Sequence, residues 1–159
     1  MFPIMLSVVT TQIALWTSYY FFFNQNNVNF ESLWGNTPQT FRTYLLISAA
    51  VAYAMNLFLL VRLAMDNNLD QPQQWTISAC VCAYYIAQLF FLPLTNLAVK
   101  KQIPKGVVTI LLVLCVIPFV VLTGVVTKHN SNDPVNLIFA FLPLLHVTIN
   151  DAIMFGFLF

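Results

Sequence analysis

Five stretches of this chain, roughly 2–23, 43–61, 75–98, 107–127 and 135–158, are predominantly apolar. Each is about 20 residues long, the length a helix rising about 1.5 Å per residue needs to cross the hydrocarbon core of a bilayer. Charge is correspondingly scarce. Only 7% of the 159 residues are charged, six Lys and Arg against five Asp and Glu, while 60% are hydrophobic. A soluble domain carries about a quarter charged residues. A water-soluble enzyme, a secreted disulfide scaffold and a disordered tail are all poor fits. The expected fold class is all-α: a polytopic integral membrane protein, one bundle of five transmembrane helices with short loops, forming a single transmembrane domain over 1–159.

Polar segments separate the apolar runs, and proline marks their borders. Pro38, Pro72, Pro104 and Pro134 each stand a few residues before an apolar run, where the missing N–H of the first helical turn costs nothing. Thr37 and Asp133 directly precede two of these prolines and are candidate N-caps. Pro93, Pro118 and Pro143 fall inside the third, fourth and fifth runs, where each removes a helical hydrogen bond and favours a kink. The first run lacks a basic n-region and a small-residue cleavage site, so it reads as a retained membrane helix rather than a signal peptide. The fifth run carries the chain to its end.

Orientation is read from the basic residues flanking the spans. Arg42, Lys100, Lys101 and Lys105 lie with the first and third loops, and Arg62 and Lys128 with the second and fourth. The bias expects the N-terminus outside and the C-terminus inside. The first loop holds Phe30, Leu33 and Trp34, the pattern of a short interfacial helix or of a docking edge for a partner. Small residues recur every four positions in the second run (Ser48, Ala52, Asn56) and the third (Ala79, Ala83, Ala87), which expects a close antiparallel pairing of these two helices.

Chemistry-bearing residues are few. An ionisable side chain in hydrocarbon costs about 2.5–3.5 kcal/mol on insertion scales and asks for a reason. Asp151 is the one acidic residue within a span. His146 and Asn150 are i and i+4 on one helical face, with Asp151 about 100° round from Asn150. This patch suits an interhelical clamp, a polar floor for a small molecule, or a proton relay. Arg42, near the start of the second helix, is the expected ion-pair partner of Asp151; a neutral Asp151 beside His146 is the next candidate. Gln88 and Asn56, near the middle of the third and second helices, are expected to face neighbouring helices and avoid lipid, since an unpaired amide there costs several kcal/mol.

Candidate binding residues are therefore His146, Asn150, Asp151, Arg42 and Gln88, with no catalytic set and no metal site. No HExxH, GxSxG or paired-Asp motif occurs. Cys80 and Cys82 point about 200° apart on a helix and, with Cys115, read as buried free thiols. Haem is disfavoured because His146 is the single embedded histidine, and retinal because no lysine lies inside a run. A pigment remains open through His146, Asn150 or Gln88 as an axial ligand. The net charge of +1 offers no field for nucleic acid.

In size and helix count the chain resembles the translocator protein family, called TspO in bacteria. The first loop has Trp34 and Pro38 alone, and the third run opens with its single Trp75, where that family is tryptophan-rich, so no residue role is carried over. The expected function is non-enzymatic: an accessory or scaffold subunit of a larger membrane assembly, with lipids and other membrane subunits as partners. The alternative is a carrier for a lipid, sterol or tetrapyrrole in a kinked-helix cavity. An ion- or proton-coupled transporter ranks third, for want of an inverted repeat.

Overall fold

The computed structural model describes residues 2–26, 28, 30–34, 37–129 and 132–155. These are helical, with no strand among the described residues: α1 Phe2–Asn26, a 3-10 turn Phe30–Trp34, α2 Gln39–Met65, α3 Gln71–Val99, α4 Lys105–His129 and α5 Pro134–Leu145, which runs on into a π-helical segment His146–Phe155. The helices outrun the apolar stretches by several residues at most ends, because helical hydrogen bonding continues into polar sequence beyond the hydrocarbon. The last positions of the fifth run, 156–158, lie outside the described residues.

Four helical spans are long and apolar enough to cross a membrane: Gln39–Met65, Gln71–Val99, Lys105–His129 and Pro134–Ile153. Although α1 has 25 residues and no charge, Ser7, Thr10, Thr11 and Gln12 dilute its apolar character. Its hydroxyls are satisfied locally: Thr10 donates to the Leu6 carbonyl at 2.7 Å and Thr11 to that of Ser7 at 2.6 Å.

The helices form a ring in the order α1, α3, α4, α5, α2. A long α1–α3 contact, α3–α4, α4–α5 and α5–α2 contacts make its wall, and a lighter α1–α2 contact closes it. The expected α2–α3 pairing is absent, since the two barely meet across the ring. Ala79 and Ala83 lie on the outer surface of α3, and Ser48 and Ala52 serve the α2–α5 contact instead. Small residues permit close approach without naming the partner helix. The outer face is apolar, with Phe2, Ile13, Ile47, Phe58 and Ile110 each more than 60% exposed.

Polar contacts tie each end. At the end carrying the second and fourth loops, Asp70 and Gln73 form a reciprocal capping box on α3. Asp133 caps α5 through the amides of Val135 and Asn136. Arg62 donates to Asn136 Oδ1 and Asp133 Oδ2, both at 2.7 Å, fastening the end of α2 to the start of α5. Some desolvation opposes ionisation of Asp133, yet the Asn136 and Val135 amides and the Arg62 guanidinium outweigh it and hold the carboxyl below its usual range. Thr37, in contrast, is no cap. The residue before α2 is Pro38, without a side-chain cap bond, while Thr37 is buried and its amide donates to the Trp34 carbonyl at 3.0 Å.

The 3-10 turn of the first loop faces inward. Leu33 and Trp34 are buried, and the Trp34 ring meets Phe155 edge-on at 5.8 Å between centroids. These two side chains, Leu33 and Trp34, close one end of the ring and so are not exposed for docking.

Candidate functional site

The ring encloses a cavity of about 610 Å³, lined from all five helices and the 3-10 turn. It runs from Leu15, Asn56 and Tyr85 at mid-bundle to Leu33, Trp34 and Phe155 at the plugged end. Trp16 of α1 and Leu46 and Ala50 of α2 line it and are also exposed on the outer face, so the mouth lies at the light α1–α2 seam. Ten of its 25 lining residues are aromatic, and no Lys or Arg lines it among the described residues. Asn56, Tyr85 and Thr95 bring polar side chains among the lining residues.

The π-helical winding builds the polar part of the wall. In an α-helix residues five apart differ by about 140° around the axis. The wider i→i+5 winding brings such residues onto one side, and His146 Nε2 lies 3.3 Å from Asp151 Oδ1. The change of winding begins three residues after Pro143, itself fully buried and on the cavity wall. The other side of the imidazole meets α2. Ser48 Oγ lies 2.8 Å and Asn150 Nδ2 3.0 Å from His146 Nδ1. Asn150 also donates to Ser48 Oγ and accepts from Tyr44 Oη at 3.1 Å. Nδ1 is thus the acceptor for a hydroxyl and an amide, which places the ring proton on Nε2, facing Asp151.

The candidate residues divide accordingly. His146, Asp151 and Gln88 line the cavity, whereas Asn150 faces a separate groove between α2 and α5. Gln88 and Asn56 are both turned into the bundle; Gln88 Nε2 reaches Cys115 Sγ of α4 at 3.8 Å, and its backbone carbonyl accepts from Tyr19 Oη of α1 at 3.0 Å. Arg42 stands apart, and the expected Arg42–Asp151 ion pair does not form. Its Nη1 lies 2.7 Å from Glu31 Oε2, and its Nε donates to the Thr37 carbonyl at 2.7 Å. From the first turn of α2 the guanidinium reaches back to a solvated carboxylate of the loop, while the π winding turns Asp151 into the ring.

Ser48 and Tyr44 were missed by sequence reasoning, which took Ser48 for a packing residue and found no nucleophile in the spans. One signal was present. Tyr44 and Ser48 are i and i+4 on α2, the same spacing as His146 and Asn150, so two polar pairs of matched pitch could face each other.

No protein-family model, no curated protein and no solved structure matches this chain. Whatever it does must be argued from the geometry alone.

Proposed function

We propose that this protein is a five-span membrane protein that binds a planar, uncharged amphiphile of sterol class in its central cavity. The cavity carries the reading. At about 610 Å³ it lies in the range of small-molecule sites. Its aromatic walls favour a flat ring system. Asn56, Tyr85, Thr95, Gln88 and Asp151 among the lining residues favour a ligand that carries a polar group on an otherwise apolar frame. With no cation on the wall and Asp151 upon it, a phosphate head or a tetrapyrrole bearing carboxylates is disfavoured. A hydroxyl beside Asp151 is favoured.

In this reading α1 is the fifth span, entry is lateral through the α1–α2 seam, and the first and third loops face inside. An accessory-subunit role rests on the apolar outer face, which any lipid-facing protein carries, so the cavity outweighs it. The test is titration of the protein in mild detergent with a fluorescent polyene sterol. Saturable binding of one sterol per chain is expected, lost when Ala50→Trp fills the mouth. Absence of saturable binding to the fully helical protein refutes the reading, as does purification only with fixed partner subunits and no small molecule.

A further inference from the structure

The groove on the outer face between α2 and α5 has about 320 Å³ of space and a graded lining. Tyr44, Ser48, His146 and Asn150 supply its polar groups; the rest of the lining, Val51, Met55 and Leu142 among it, is apolar. From Tyr44 to Met55 the groove runs about 16 Å along α2. Because α2 descends into the bundle from the first loop, the polar end is the shallow one. Ser48 lies about 8 Å of helical rise below Thr43, where the apolar run begins. The groove thus matches a lipid ester in a leaflet: carbonyl near the surface, acyl chain pointing to the bilayer centre.

At the polar end three side chains stand in line. Ser48 Oγ donates to His146 Nδ1 at 2.8 Å, and the opposite ring nitrogen, Nε2, faces Asp151 Oδ1 at 3.3 Å. A serine hydroxyl, an imidazole with a free acceptor nitrogen and a carboxylate behind the other nitrogen together make the Ser-His-Asp relay, which is recognised by geometry and roles. The two ring nitrogens are exchanged relative to the usual arrangement, which leaves the proton chemistry unchanged. In a helix a serine hydroxyl normally bonds back to a carbonyl of the preceding turn; Ser48 points across to α5 instead.

We propose that Ser48, His146 and Asp151 form an acyl-transfer site, with Ser48 as nucleophile toward the carboxylic ester of a membrane-borne acyl chain lying in the α2–α5 groove. The nucleophile Ser48 lies on the groove, while His146 and Asp151 also line the cavity. Ser48 Oγ attacks the carbonyl carbon as its proton passes to His146 Nδ1. Asp151, a positioning residue, holds Nε2–H and stabilises the imidazolium. Asn150 Nδ2, resting on Ser48 Oγ and Nδ1, is placed to donate to the oxyanion. The C–O bond to the alcohol breaks and the alcohol leaves with the proton from Nδ1. Water then adds to the acyl-serine, passing its proton to Nδ1; collapse releases the carboxylic acid and returns that proton to Ser48. The proposal departs from the non-enzymatic expectation, which rested on finding no nucleophile.

The experiment treats the full chain, reconstituted in phosphatidylcholine vesicles, with a long-chain alkyl fluorophosphonate and maps any adduct by peptide mass spectrometry. One adduct per chain, on Ser48, is expected, together with turnover of an added fluorogenic acyl ester. His146→Gln lowers the labelling rate by about a hundred-fold or more. Asp151→Asn lowers it as well, and Asp151→Glu recovers most of the loss, a pattern that a clamp between helices does not produce. If the helical wild-type chain gives no adduct, or one at a serine other than Ser48, the proposal is wrong, whatever the variants do.

Discussion

Replacing Asn150 with alanine tests the network that joins α5 to α2. Asn150 is 4% exposed and bonds to three groups: Tyr44 Oη, Ser48 Oγ and His146 Nδ1. Interhelical hydrogen bonds in membranes contribute about 0.6 kcal/mol each, with a ceiling near 1.7. Two of the three, to Tyr44 and Ser48, cross between helices and set the loss at about 1 kcal/mol. The full penalty for orphaned partners, about 1–3 kcal/mol apiece, does not apply. Tyr44 is half exposed, and Ser48 Oγ and His146 Nδ1 keep each other. The assay is reversible unfolding in mixed detergent micelles, with Ile149→Ala, exposed on the neighbouring position, as the control for helix propensity. A double-mutant cycle with Tyr44→Phe should return a coupling of about 0.5 kcal/mol or more. A loss for Asn150→Ala no greater than for Ile149→Ala, with no coupling to Tyr44, would mean the network stores no energy and the groove's polar end is loose.

Other outcomes follow from single features. Because the carboxyl of Asp133 is held below its usual range in the folded protein, the stability it adds is complete above its unfolded value near 3.8 and disappears as pH falls through the folded value beneath that. The stability gap between wild type and Asp133→Asn should therefore be level above about pH 5 and close below about pH 4, as read from unfolding midpoints. Lys101 has φ 58° at the end of α3, where its amide bonds Ala98 O and that of Gln102 bonds Leu97 O, a motif that favours glycine. Lys101→Gly should stabilise by about 1 kcal/mol, seen as a rise in the thermal midpoint. Trp34→Ala removes the buried plug over the cavity and should cost about 3–5 kcal/mol in the same unfolding assay.

Much of the fold was legible from physical regularities that act locally. Apolar run length against bilayer thickness located all five helices, since a segment in hydrocarbon must satisfy its own backbone. Proline and aspartate placed the starts of α3, α4 and α5, because those devices work within one turn of helix. Thr37 failed by the same logic: Pro38 carried α2 without a side-chain cap, and the Thr37 amide was already used by the Trp34 carbonyl. Polar residues in apolar runs directed attention to His146, Asn150, Asp151 and Gln88, because hydrocarbon leaves such groups few places to go; the structure sets the first three in one network and Gln88 on the cavity wall.

What the sequence by itself determined, then, is everything set by a residue and its near neighbours: helix existence, rough ends, and which side chains must turn inward. Tertiary structure alone decided which helix stands beside which. The ring order put α5 rather than α3 against α2, and so gave Ser48 a histidine in place of an alanine stripe. It also decided the winding. An α-helical Asp151 points away from His146, while a π-helical one lies 3.3 Å from its Nε2, and no local pattern in HVTIND distinguishes the two. The reason is physical: helix packing and a change of helical pitch are settled by the summed contacts of whole surfaces, and these become defined only when all five helices are in place.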